Sequence, residues 1–456
     1  MDGSHQYHSR SRLVALVAAH NEERQIGAAI QSLLDQTRRP DEIVIVADRC
    51  VDRTIEIALQ FSASVIESVG NVHRKAGALN QALARILPTL DADDLVIMMD
   101  ADTELNFEFL EAAERRLRTH EDSRPTVGAV GSVFLAIYPV TQIVEAVQRN
   151  EYLRYAHDLK RRKGRAEVIS GTAGMYPVAV LRQVAAERGS RLPAGGFVYD
   201  NTALTEDNEL TMAVKHLGYR CASPTECTVR TELMPTVRTL YFQRLRWQRG
   251  ALENLRMYGL TKYTAPYILR QMAIYLGILF LPYFVAVVVI AILQTERFPW
   301  SWPWFFISSI LVIERVWTVR RGGRRAVILS ALILPEITYD VFLHFVFSIA
   351  LADAVTGTRA SWDHREAVQQ EVAGLITQTV RTIVQIAVPI CGLVLAAFLA
   401  LLTTQLGVQW VVVGVIVGSG IAHSALRATR FDPMGRVFGS SENLAKIRIA
   451  GSSPVS

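Results

Sequence analysis

Between Gln271 and Thr295 the chain carries no charged side chain, and the stretch is long enough to cross a hydrocarbon core. Only a helix satisfies its own backbone there, so this segment fixes a membrane helix, with Pro282 as a possible kink. Half of the 456 residues are hydrophobic and mean hydropathy is +0.21, which describes a soluble part fused to membrane segments rather than one globular core.

Before Pro235 the pattern is different. Short apolar runs at Leu13 to Ala18, Ile43 to Ala47, Ala63 to Glu67, Leu95 to Met99 and Val127 to Val133 alternate with helical patterns at Glu23 to Gln36, Asp52 to Phe61, Ala76 to Leu87 and Phe107 to Arg118. Such alternation predicts a doubly wound α/β domain with a parallel sheet, whose ligands sit at the carboxyl ends of the strands. The expected division is a polar tail at residues 1–12, the α/β domain at 13–235, an amphipathic interfacial segment at 236–264, an all-α membrane domain at 265–430 and a cytosolic tail at 431–456.

Spans are expected at about 271–293, 300–319, 383–403 and 408–426. Residues 326–352 are apolar but place Glu336, Asp340 and His344 on one helical face, which favours an interfacial or re-entrant helix; a fifth span is the rival. The basic run Arg320-Arg321-Gly322-Gly323-Arg324-Arg325 and the tail with Arg427 and Arg430 are expected on the cytoplasmic side. Gln142 to Lys163 and Val237 to Tyr258 are amphipathic, the second expected to dock at the membrane interface. Residues 1–12 have no apolar core, so no cleaved signal peptide is expected and the α/β domain stays in the cytoplasm. A net charge of +5, gathered beside apolar spans, argues for membrane lipids and against nucleic acid. Cys50, Cys221, Cys227 and Cys391 lack zinc or disulfide spacing.

Five local signals carry chemistry. A strand ends at Val17-Ala18-Ala19-His20-Asn21-Glu22-Glu23, and the next ends at Asp48-Arg49-Cys50-Val51-Asp52-Arg53-Thr54, where an acid can accept bonds from a base or ribose or Asp52 can simply cap a helix. Lys75, in His73-Arg74-Lys75-Ala76-Gly77, stands at a helix start that suits a diphosphate, or is a solvated lysine. Val96-Ile97-Met98-Met99-Asp100-Ala101-Asp102 ends a buried strand in two carboxylates, and Mg²⁺ prefers one or two carboxylates plus phosphate oxygens. Thr205-Glu206-Asp207-Asn208-Glu209 reads as a capped helix start; burial beside a diphosphate is what would let Asp207 take a hydroxyl proton.

These segments, followed by Gln243-Arg244-Leu245-Arg246-Trp247, resemble the processive family 2 glycosyltransferases, the membrane enzymes typified by cellulose, hyaluronan and chitin-type synthases. The resemblance runs from about Val14 through the last membrane pair. It implies a GT-A fold and a metal-dependent, inverting hexosyltransferase of the bacterial inner membrane, multi-pass with a cytoplasmic catalytic domain. Such an enzyme passes sugar from a UDP-sugar donor to a polysaccharide or oligosaccharide acceptor and helps move the product across the bilayer.

By the same resemblance Asp48 and Asp52 contact uridine, Lys75 the diphosphate, and Asp102 with Asp100 the Mg²⁺ or Mn²⁺. Asp207 is the general base, Gln243 and Arg246 close the donor site, and Trp247, Thr172 and Glu206 meet the acceptor. Ser170-Gly171-Thr172-Ala173 corresponds to the small-residue segment near the acceptor sugar, and Trp362 stands loosely where a gating segment lies. Met175-Tyr176-Pro177 replaces residues that are basic in many relatives, and a pore would come from the C-terminal spans or from a homo-oligomer. A polyprenyl-phosphate glycosyltransferase adding one sugar is the nearest alternative, and a nucleotide-binding channel or transporter without transfer is one of another class.

Overall fold

A computed structural model of the chain describes residues 11–119, 125–137, 140–300, 302–356, 375–409 and 412–414. Trp362, Arg359 to Arg365, most of the expected span at 408–426, Arg427, Arg430 and the tail at 431–456 lie outside the described residues, as do residues 1–10. Met1–Gln405 form one unit and Leu406–Ser456 another; in the second, Val412 N–H bonds the carbonyl of Val408 at 3.1 Å.

The strands are β1 (Leu13–Ala19), β2 (Glu42–Ala47), β3 (Ser64–Glu67), β4 (Leu95–Asp100), β5 (Glu104–Leu105), β6 (Val127–Gly131), β7 (Val133–Ala136), β8 (Ala173–Pro177), β9 (Arg220–Ala222) and β10 (Thr228–Thr231). The helices of the α/β part are α1 (Ile26–Leu34), α2 (Thr54–Gln60), α3 (Arg74–Ile86), α4 (Phe109–Arg118), α5 (Ile143–Arg161), α6 (Val178–Glu187), α7 (Glu206–His216) and α8 (Val237–Tyr258). Beyond them come α9 (Ala265–Thr295), α10 (Trp302–Val319), α11 (Arg324–Ala331), α12 (Leu334–Thr356) and α13 (Leu375–Gln405).

Seven strands form one sheet in the order β3-β2-β1-β4-β8-β6-β9. Its central strands read as unbroken apolar runs because both faces are covered. Alternate residues divide between two cores: Leu13, Val17, Ile97 and Met99 pack with α1 and α4, whereas Val14, Leu16, Val96 and Met98 pack with α3, α6 and α7.

Two strand expectations need correction. The sheet is mixed, not parallel, because β8 inserts antiparallel between β4 and β6. Ala173-Gly174-Met175-Tyr176-Pro177 has little strand propensity, and its pairing is imposed by neighbours on both sides. The run Val127 to Val133 is two strands: at Ser132 the chain leaves the large sheet, and β7 joins a second sheet in the order β5-β10-β7.

Insertion of β8 has a positional result. An antiparallel strand starts where its parallel neighbours end, so Met99 pairs with Ala173 and Ser170-Gly171-Thr172 arrives at the edge that carries Asp100.

In the helical part three helices among the described residues are long and apolar enough to cross a membrane: Ala265–Thr295, Leu334–Val355 and Ala387–Gln405. The first continues through Pro282. Residues 326–352 are not one helix, because Ile333 takes φ +59° and parts α11 from α12. Glu336, one of the two acids and one histidine expected on one face, is 0 % exposed. It accepts from Arg154 (3.1 and 2.7 Å) and Asn150 (3.2 Å) of α5, from Ser330 (2.8 Å) and from Arg315 (3.3 Å), which also reaches Asp340 at 2.6 Å. The start of α12 is therefore seated on the α/β part by charge.

Candidate active site

The loops after β1 and β2 are stapled to each other. His20 Nδ1 lies 2.5 Å from the Asp48 carbonyl, Asn21 Oδ1 accepts the Val51 N–H at 2.8 Å, and Thr54 Oγ1 accepts the Glu22 N–H at 2.7 Å. Asp52 accepts the Glu23 N–H at 3.0 Å and the Thr54 N–H and hydroxyl at 3.0 and 2.5 Å, which is the helix-start role weighed for it. Asp48 is buried and held by Ser68 (2.6 Å) and Asn71 (3.0 Å), two residues that no strand-end pattern pointed to.

The other signals converge directly. Lys75 Nζ lies 2.5 Å from Asp100 Oδ1 and 3.5 Å from Glu206 Oε1, and donates to the Gly171 carbonyl at 3.1 Å. On the other side of the same residue, the Gly171 N–H donates to Asp207 Oδ2 at 2.9 Å, while Asp207 Oδ1 takes the Asn208 N–H at 2.7 Å. A Cβ on Gly171 would stand 2.8 Å from Lys75 Nζ and 3.5 Å from Asp207 Oδ2, so glycine permits this approach. Thr172 shares a hydrogen bond with Ser132 at 2.6 Å.

Electrostatics divide the site. Burial opposes the charge on Lys75, but Asp100 and Glu206 outweigh it and hold the ammonium protonated. Burial raises Glu206, against Lys75 and with Asp207; Arg246 acts to lower it. Asp102 is pushed up to about 6 by burial and then by Asp100, and Glu22 to about 7 by burial and then by Asp102, Glu232 and Asp100. Glu232 follows β10 in a segment with no sequence pattern, whereas Glu22 belongs to the polar run at the end of β1.

Asp100 and Asp102 fit a divalent cation in one respect: they belong to a carboxylate group whose mutual repulsion a cation would relieve. Among the described residues no three acid, histidine or cysteine side chains are grouped to hold a metal, so remaining donors would come from a bound diphosphate.

Helix α8 leans on the start of α7. A Cβ on Gly250 would stand 2.5 Å from Thr205 Oγ1, and Asn254 donates to the Thr205 carbonyl and hydroxyl at 3.3 and 3.2 Å. Tyr258 donates to Glu209 at 2.6 Å, which also forks with Arg188 at 2.5 and 2.7 Å. Through this packing α8 brings Arg246 within electrostatic range of Glu206, and Gln243 lies on the same helix with its amide oxygen buried and without a hydrogen-bond partner among the described residues. Trp247 lies under the Arg244 guanidinium, 4.6 Å from ring centroid to Cζ.

Residues 14–185 match the family model described as Glycosyl transferase family 2. The chain is 25 % identical over 248 residues to a probable glycosyltransferase of Bacillus subtilis (strain 168), covering 52 % of this chain and 55 % of the relative. It is also 25 % identical over 245 residues to poly-beta-1,6-N-acetyl-D-glucosamine synthase of Staphylococcus epidermidis, covering 53 % and 54 %. The chain thus spans about half the length of the curated relatives it matches. Among solved structures, a mannosyltransferase of Pyrobaculum calidifontis in complex with GDP-mannose and Mn²⁺ aligns at TM-score 0.47 and 17 % identity, covering 77 % of this chain and 89 % of that one.

Proposed function

On the premise that residues 14–185 form a glycosyl transferase family 2 domain, we propose that this chain transfers sugar, with inversion, from a UDP-sugar to the end of a growing polysaccharide at a membrane. The observation that carries the reading is the single peptide at Gly171, bonded through its carbonyl to Lys75 and through its N–H to Asp207. A base and a cation for the leaving group are then held at the two polar ends of one residue.

Asp207 takes the proton of the acceptor hydroxyl as its oxygen attacks the anomeric carbon. The bond to the diphosphate breaks with its electron pair going to the diphosphate oxygen, whose charge Lys75 neutralises. Asp48 and Asp52 hold the uridine. Gln243 and Arg246 close over the diphosphate, Arg246 as a planar fork. Trp247 offers a ring face to the acceptor sugar, with Thr172 and Glu206 beside it. Asp102, helped by Asp100, would hold Mg²⁺ or Mn²⁺, which supplies further neutralisation of the departing diphosphate.

The three apolar helices support placement in the bacterial inner membrane, and the basic Arg320 to Arg325 loop supports a cytoplasmic catalytic domain. The named synthase relatives make UDP-N-acetylglucosamine the first donor to test. The test is UDP release by purified protein across a panel of UDP-sugars with and without Mn²⁺, followed by sizing of the product. A ladder of long products supports the reading; UDP binding with neither release nor transfer ends it, and a single-sugar lipid product replaces it with the polyprenyl-carrier enzyme.

A further inference from the structure

Within the Gln243 to Trp247 motif, Arg244 is the residue that forks onto α5. It is buried, yet its guanidinium forks onto Glu151 of α5 at 3.1 and 2.8 Å, and Tyr339 of α12 donates to that same carboxylate at 2.6 Å. Arg244 and Trp247 are three residues apart on α8 and so lie on one face. The 4.6 Å separation of guanidinium and ring is cation–π range and occupies one side of the indole, while Trp247 as a whole is half-buried. A forked guanidinium has its plane fixed by two bonds, unlike a lysine ammonium. From these contacts we infer that Arg244 and Glu151 are positioning residues that set the indole of Trp247 for the acceptor, and that Tyr339 ties this setting to the seat of α12.

The inference rests on the acceptor role proposed for Trp247 and adds the device that aims it. The test measures UDP release from UDP-N-acetylglucosamine in two arms, with water alone as acceptor and with short N-acetylglucosamine oligosaccharides added. Glu151→Gln is expected to raise the half-saturating oligosaccharide concentration about tenfold, the size of one charged hydrogen-bonded pair, and to leave the water arm unchanged. Tyr339→Phe, which removes one hydroxyl and little else, is expected to move the same quantity in the same direction by less. In a Trp247→Ala background Glu151→Gln should add nothing further.

Equal losses in both arms, or full additivity of Glu151→Gln with Trp247→Ala, overturn the inference while the acceptor role of Trp247 stands. If Trp247→Ala itself leaves oligosaccharide half-saturation unchanged, the acceptor reading fails and takes the inference with it.

Discussion

At the scale of single residues, the site separates charges that are compensated from charges that are not. Asp207 Oδ2 and Oδ1 each accept one backbone N–H, so asparagine, with a single acceptor oxygen, keeps one of those two bonds and loses the basicity. Asp207→Asn is expected to bind UDP as the parent does in calorimetry while transfer falls about 10²- to 10⁴-fold, the usual worth of a general base. Glu22 shows the opposite condition. Its carboxyl is raised to about 7, so in that state the folded chain holds a proton that the unfolded chain has released above its ordinary value of 4.5. Stability then falls as pH rises through that window. In EDTA, Glu22→Gln should raise the melting temperature at pH 8 and leave it unchanged near pH 4; a lower melting temperature at pH 8 would show that the carboxylate is needed and not merely tolerated.

At the scale of elements, the close contact of α8 with the turn before α7 sets the site's geometry. Gly250→Ala drives a methyl into Thr205 and is expected to cost about 1–3 kcal/mol of stability, with a matching loss of transfer. Thr205→Ala in the same chain should recover most of it, as measured by thermal melting and UDP release together. The sequence made much of this organisation legible. Strands β1 to β4 and helix α8 follow from apolar runs and amphipathic spacing, and Lys75, Asp100, Glu206 and Asp207 follow from their places at element ends. What stayed hidden was set by distant pairing. Strand β8 has glycine and proline where strand formers belong, and is a strand only because β4 and β6 flank it. Glu232, Ser68 and Asn71 reach the site from segments with no pattern of their own. Helix α5, read as amphipathic, supplies Asn150, Glu151 and Arg154 to contacts with α8, α11 and α12 that periodicity alone does not foretell.

At the scale of the whole molecule, the α/β part and the apolar helices are joined by buried charge rather than by apolar packing alone. Besides the contacts of Glu336, Arg249 of α8 approaches Asp353 of α12 at 3.7 Å, and Gln385 of α13 donates to that carboxylate at 2.8 Å. Gln248 of α8 meets Gln271 and Tyr275 of α9 at 2.7 and 3.1 Å. Removing one member of a buried ionic group strands the others. Glu336→Ala is expected to destabilise the detergent-solubilised protein by about 3–5 kcal/mol, and Glu336→Gln together with Arg154→Met by less than the sum of the single changes, both read as melting temperature.

The seating of Glu336 also constrains biogenesis. Its carboxylate finds Arg154 and Asn150 only after α5 has folded onto the sheet, and until then it has only Ser330 and Arg315 of its own half to hold it. Because the domain that provides α5 leaves the ribosome first, maturation of the apolar half is made to wait for a finished N-terminal half, and a chain that misfolds early never acquires a stable seat for the helices that follow.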